Sequence, residues 1–201
     1  MLTRLLSFSK IYDCFSQFSS PRNACDFFFE HKPGIKILDI GCGPASQTHR
    51  FIDSNYLGID LSAGYIKEAN DKYQEYENIN FLCTDVNTFF GSEKNLQEKF
   101  DLIILCGILH HLSDNEVEST LAPLRNLLNP DGGVRTLDGV YTDSQSKIAR
   151  WILSKDRGKF VRTVADYESL IIRHLPSATY KIYGNLTRFP YTHIVFSYGQ
   201  T

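Results

Sequence analysis

Two sets of residues in this 201-residue chain stand at spacings that can do chemistry. The first is a glycine loop with recurring acids. Leu38-Asp39-Ile40-Gly41-Cys42-Gly43-Pro44-Ala45 follows an apolar run, and its glycines permit a tight turn and a close backbone approach by a ligand. A helix after such a loop would present its amides to an anionic group. Asp60 lies 19 residues beyond Gly41, in Tyr56-Leu57-Gly58-Ile59-Asp60-Leu61-Ser62. That is close to the spacing at which an acid meets ribose hydroxyls, and a carboxylate can accept from two vicinal hydroxyls. Asp85 follows a third apolar run, in Phe81-Leu82-Cys83-Thr84-Asp85-Val86. A single Asp at a strand end is more often a helix cap or turn former. Three at successive strand ends, beside a glycine loop, favour a nucleotide-like ligand.

The second set is the histidine pair in Leu105-Cys106-Gly107-Ile108-Leu109-His110-His111-Leu112. A histidine titrates near neutrality and suits proton transfer. Adjacent residues of an extended chain point to opposite sides, so at most one of the two is expected to face a substrate; the alternative is that one caps the next helix and the other packs against it. His111 is the better base candidate, His110 the second. His110, His111 and Asp114 are too local to hold a metal and lack a second carboxylate or a thiolate, so no metal is expected. Cys42, Cys83 and Cys106 fall at strand ends and suit small apolar filling.

These residues need an alternating scaffold, and the sequence supplies one. Apolar runs at Ile35 to Ile40, Tyr56 to Ile59, Asn80 to Cys83, Phe100 to Cys106 and Val134 to Val140 read as strands covered on both faces, hence a parallel sheet. Helices are expected from Ser62 to Tyr76, after the capping box Ser113-Asp114-Asn115-Glu116 to Leu128, and from Thr163 to His174. Asn129-Pro130-Asp131-Gly132-Gly133 reads as a turn. Tyr180 to Leu186 and Tyr191 to Tyr198 read as a closing antiparallel hairpin. Alternating units joined by right-handed crossovers give a doubly wound α/β fold.

Length favours one domain with little appendage. The hydrophobic share is 42%, the charged share 22% and the net charge −2, which excludes a disordered chain and a wholly nucleic-acid-coating surface. Five cysteines without paired spacing argue against a disulfide framework, and a cytoplasmic location is expected. No apolar run is long enough for a membrane span. Met1 to Ser20 reads as an amphipathic segment rather than a transit peptide.

The glycine loop with its three strand-end aspartates resembles the class I S-adenosylmethionine (SAM)-dependent methyltransferases, in particular the type 11 methyltransferase domain, over roughly residues 30–200. The resemblance implies a three-layer αβα fold with a Rossmann-like seven-stranded sheet of order 3-2-1-4-5-7-6, strand 7 antiparallel. It implies a helical lid segment over residues 1–30 and a methyltransferase domain over 31–201, with 141–162 as a substrate lid. Asp39 would lie near the methionine amino group, Gly41, Cys42 and Gly43 under the ligand, and Asp60 at the ribose, with Leu61 flanking the adenine. Asp85 would accept from the adenine amino group, Val86 would meet the ring and Cys106 would offer its carbonyl. Tyr12 would reach the methionine carboxylate, with Gln17 nearby. Ala45 stands where many members carry a third glycine. A Rossmann dehydrogenase fits less well, since its third glycine would fall on Ser46 and it gives no reason for Asp85 or the hairpin.

The resemblance implies methyl transfer to an oxygen or nitrogen of a small molecule, with no nucleic-acid or membrane partner; a homodimer is compatible. A SAM-binding partner subunit without turnover, or a SAM-using enzyme that moves no methyl, is the alternative. The acceptor is expected at residues 141–162, which carry Lys147, Arg150, Lys155, Arg157, Lys159 and Arg162 against Asp143 and Asp156. Tyr141, Arg150, Trp151 and Arg157 are the acceptor-side candidates. One of the arginines at 150, 157 or 162 would pair with a carboxylate or phosphate of an anionic acceptor.

Overall fold

The computed structural model describes residues 26–199. Its strands are β1 (Lys36–Ile40), β2 (Asn55–Asp60), β3 (Ile79–Cys83), β4 (Phe100–Cys106), β5 (Leu128–Tyr141), β6 (Arg162–Thr163), β7 (Thr179–Tyr183) and β8 (His193–Gly199). Its helices are α1 (Asp26–Phe29), α2 (Ala63–Tyr73), α3 (Val86–Gly91), α4 (Glu93–Gln97), α5 (Asp114–Leu121), α6 (Lys147–Leu153) and α7 (Val164–His174). The sheet order is β3-β2-β1-β4-β5-β8-β7, and β6 pairs with β5 off this path. β1 to β5 run parallel, and β8 lies antiparallel between β5 and β7. The two-residue β6 shifts the later strand numbers by one; otherwise the order is the expected one.

The parallel strands are apolar throughout because both faces are buried. Along β4, Ile103 and Leu105 pack into a core with α5 and α7, among Val117, Leu121, Tyr167 and Ile171. Leu102 and Ile104 pack into a second core with α1 and α2, among Phe28, Phe29, Ala69 and Tyr73. One strand therefore feeds two cores by its period of two, which is the three-layer arrangement. Arg135 of β5 is buried, and its guanidinium donates to the carbonyls of Phe28 at 2.8 Å and Glu30 at 2.5 Å. It thereby satisfies carbonyls that the end of α1 would otherwise leave unpaired.

Local signals act as their chemistry dictates. Ser62 caps α2 by accepting from the Tyr65 amide. Ser113 and Glu116 form the expected capping box of α5, and Thr163 with Asp166 forms another on α7. Three elements differ from expectation. After the glycine loop the chain forms a short 3-10 segment, Thr48–Phe51, in place of a helix. α5 stops at Leu121, and Pro123 turns the chain into a short 3-10 segment, Leu124–Leu127. The Asn129 to Gly133 stretch is absorbed into β5 as an irregularity: register passes from Phe100↔Leu128 to Leu102↔Gly133. Pairing on both sides of the stretch holds it in the strand.

Candidate active site

All the strand-end candidates converge at the carboxyl edge of β1 to β4, where doubly wound sheets bind ligands. The glycine loop folds back on β2: the Gly41 and Cys42 amides donate to the Ile59 carbonyl at 2.8 and 3.1 Å. Gly41 takes φ +75°, and a Cβ there would meet Ile108 Cδ1 at 2.6 Å. Gly41 must therefore be glycine for two reasons, its left-handed backbone and the close passage of the β4 loop. Gly43, at φ +55°, has open space over its Cα. Ala45 also adopts a left-handed φ of +58°, which gives the physical reason why glycine suits that position. The Cys42 thiol packs toward Gly58 on β2, where an added Cβ would lie 2.8 Å from Sγ. Its side chain is therefore spent on packing.

Asp60 clamps the loop. One oxygen accepts from the Gly43 amide at 2.9 Å, the other from the Ser62 amide at 2.8 Å, and each retains a lone pair for a further donor. Leu61 beside it is 75% exposed. Asp85 caps α3, taking the Thr88 amide at 2.9 Å and the Thr88 hydroxyl. These bonds hold its pKa below the usual carboxylate value. Val86 is half-buried at the start of that helix, and Cys106 is half-buried at the end of β4.

Asp39 is the most unusual of these groups. It is buried, and its Oδ2 accepts from the Tyr56 hydroxyl at 2.6 Å. Its Oδ1 is buried and has no hydrogen-bond partner among the described residues. Desolvation raises its pKa to about 6, against the lowering effect of Tyr56. A buried carboxylate oxygen lacking a donor favours a cationic ligand beside it. The residues present thus fit SAM: Asp39 for its ammonium, Asp60 for ribose hydroxyls, and the exposed Leu61 for the adenine face.

The histidines do not lie on extended chain. They sit in a 3-10 turn, Leu109–His111, with ring centroids 4.1 Å apart. Opposite pointing by strand alternation therefore does not apply; the turn sets the rings side by side at an interplanar angle of 41°. His110 is buried, with Nδ1 2.7 Å from Asp138 Oδ1 of β5 and Nε2 3.4 Å from Asp156 Oδ1. Burial works against protonation there, but the two carboxylates prevail and raise its pKa to about 9. His111 is exposed on the outer side. Partial desolvation and the neighbouring His110 charge hold its pKa at about 4, so it is neutral at pH 7 but a weaker base than an ordinary imidazole.

On the acceptor side, Tyr141 ends β5 and the Arg150 guanidinium lies 5.1 Å from its ring centroid. Arg157 is exposed. Trp151 is 63% exposed on α6, whose packed face carries Ala149 and Leu153. Arg162 cannot serve an acceptor. It is buried and donates to Asp114 and to the carbonyls of Leu109, Leu112 and Phe160, so it braces the histidine turn. Tyr12 and Gln17 lie outside the described residues.

The residues that sequence reasoning missed are Asp138, Asp156, Tyr56 and Tyr191. Asp138 gave a usable signal, an acid inside the apolar run of β5. Asp156 and Tyr191 gave none, because only folding brings them to His110. Among the described residues no group of three His, Cys, Asp or Glu side chains could hold a metal ion. No helix there is long and apolar enough to cross a membrane.

Comparison with known proteins bears on the fold and the family. Residues 37–132 match a family described as "Methyltransferase domain", so this stretch of the chain is similar to a methyltransferase domain. A relative named "Highly reducing polyketide synthase pspA", from Penicillium soppii, is 28% identical over 153 residues. That match covers 71% of this chain but 6% of the relative, so the chain corresponds to a small part of the curated relatives it matches. Among solved structures, the YcgJ protein of Bacillus subtilis superposes with a TM-score of 0.68 at 13% identity, covering 90% of this chain and 99% of that one. The CurJ carbon methyltransferase gives 0.61 at 17% identity, covering 86% and 50%. At such identities the likeness establishes the fold.

Proposed function

We propose that this chain moves a methyl group from SAM to an oxygen or nitrogen atom of a small-molecule acceptor. The observation that carries the reading is the buried, unpartnered Asp39 Oδ1 at the root of an open glycine loop, a position that calls for a cation. When bound, SAM supplies an electrophilic methyl group on its sulfonium. Methyl transfer is an in-line displacement, so the protein contributes chiefly positioning and exclusion of water. Asp60 would hold the ribose hydroxyls and Asp39 the amino group of the cofactor. His111, neutral at pH 7, takes the proton that the acceptor hydroxyl or ammonium loses. Residues 141–162 form the acceptor-side lid, in which Arg150 and Arg157 pair with an anionic group of the acceptor.

A carbon acceptor is the second reading, favoured by the polyketide synthase relative and by the carbon methyltransferase among the structural neighbours. Calorimetry with SAM and with NAD tests the cofactor: SAM binds and NAD does not. A methyl-release assay with pooled small metabolites then tests transfer, and the NMR chemical shift of the new methyl group in the isolated product tells oxygen, nitrogen and carbon apart. His111→Ala is expected to retain SAM affinity and lose at least tenfold in turnover. Full turnover in this variant would remove His111 from the reaction.

A further inference from the structure

The connection between β5 and β6 is fastened to the histidine turn at several points. Asp156 Oδ1 lies 3.4 Å from His110 Nε2 and accepts from the Gly158 amide at 2.9 Å. Asp156 Oδ2 accepts from the Tyr191 hydroxyl at 2.6 Å. The Phe160 amide donates to the His110 carbonyl at 3.0 Å. Gly158 lies so close to the His110 ring that any side chain there would run into it. On the other nitrogen, Asp138 Oδ1 takes both the His110 ring at 2.7 Å and the His110 amide at 3.1 Å. Both ring nitrogens thus face carboxylates, and only the imidazolium has a proton to donate at each.

We propose that Asp156 is a positioning residue, latching the 142–161 connection onto the His110–His111 turn, and that the latch holds only while His110 carries both ring protons. This rests on the reading of that connection as the acceptor-side lid and of His111 as the proton acceptor. At neutral pH the latch is closed, and the connection is packed beside the His111 ring. Loss of the Nε2 proton leaves a nitrogen lone pair facing the Asp156 carboxylate, and that contact becomes repulsive. Of the groups surrounding His110, the two carboxylates favour its charged form against burial. Asp138 comes from β5, and Asp156 from the connection. His193 of β8 is buried and kept neutral, its pKa lowered to about 4 mainly by burial. Tyr191, Tyr167 of α7 and Arg162 of β6 line the same interior, while His111 and Arg157 lie on the outer side.

The test uses the full chain and needs no acceptor. Histidine side-chain NMR from pH 5 to 10 follows His110, and amide hydrogen exchange at Phe160, corrected for intrinsic rate, follows the latch. In the wild type His110 should titrate near pH 9, and Phe160 protection should fall only above that midpoint. Asp156→Asn should lower the midpoint by about one unit or more and cut Phe160 protection about tenfold or more at pH 7. Tyr191→Phe, which leaves every charge in place, should move both readouts the same way by less. Unchanged His110 titration in a folded Asp156→Asn variant overturns the proposal. So does wild-type Phe160 protection that is constant through the His110 midpoint. Should Asp156→Asn fail to fold, Tyr191→Phe decides: no movement of either readout overturns it. A wild type that transfers no methyl would refute the proposed function and leave these readouts standing.

Discussion

Replacing Asp39 with Asn should make the protein more stable above pH 6 while removing its hold on the cofactor. The folded pKa of Asp39 is raised from 3.8 to about 6 by burial. Because the folded value lies above the unfolded one, the fold favours the protonated acid. That contribution is present below about pH 4 and is lost as pH rises through 6. Above pH 6 the ionised carboxylate costs about 3 kcal/mol, from about 2 units at about 1.4 kcal/mol each. Asparagine carries no charge at any of these pH values, and its amide oxygen can still accept the Tyr56 hydroxyl that bonds Asp39 at 2.6 Å. For a chain of this size 1 kcal/mol is worth about 2–4 °C. The variant should therefore melt about 6–12 °C higher at pH 8 and about equal to wild type near pH 4. Thermal unfolding of both proteins across that range, with SAM calorimetry at pH 8, checks both halves. An equal melting point at pH 8, or a gain that persists at pH 4, would refute the electrostatic reasoning. Retained SAM affinity would refute the assignment of Oδ1 to the ammonium.

Gly41→Ala places a Cβ 2.6 Å from Ile108 Cδ1 at a φ of +75°, and should cost about 2–3 kcal/mol in denaturant unfolding. The double variant with Ile108→Ala should recover the steric part of that stability cost but not the backbone part. Ala45→Gly removes a left-handed strain at φ +58° and should stabilise by about 1 kcal/mol with SAM binding intact; a loss of stability would show that the Ala45 methyl, 1% exposed in the core, outweighs the strain.

The strands were legible because burial on both faces leaves an unbroken apolar run, as in Ile103, Ile104 and Leu105 of β4. Helix starts were legible because Ser62, Ser113 and Thr163 carry the oxygens that orphan amides need. Helix ends were less so: Pro123 stops α5 several residues before the apolar pattern does. The glycine loop and Asp60 were legible because each acts through residues near it in sequence. The histidine pair was legible as residue types only, since whether it lies on strand or turn depends on what packs beneath it. Arg162 read as a candidate for the acceptor's anionic group because its four acceptors are not legible beside it: Asp114, Leu109 and Leu112 lie 48–53 residues away, and Phe160 two residues away.

By itself the sequence determined the alternating, doubly wound class of fold and the position of the glycine loop, while the strand order followed from the family resemblance. The fold class and the loop follow from period, capping chemistry and the need of a left-handed turn for glycine, all local properties. Tertiary structure alone decided which histidine is charged. His110 and His111 are identical in type and adjacent in chain. One is enclosed by Asp138 and Asp156, 28 and 46 residues away in sequence, and binds its proton to about pH 9, while the other stands outside and gives it up near pH 4. Charge interactions depend on distance in space and on burial, and neither is written along the chain.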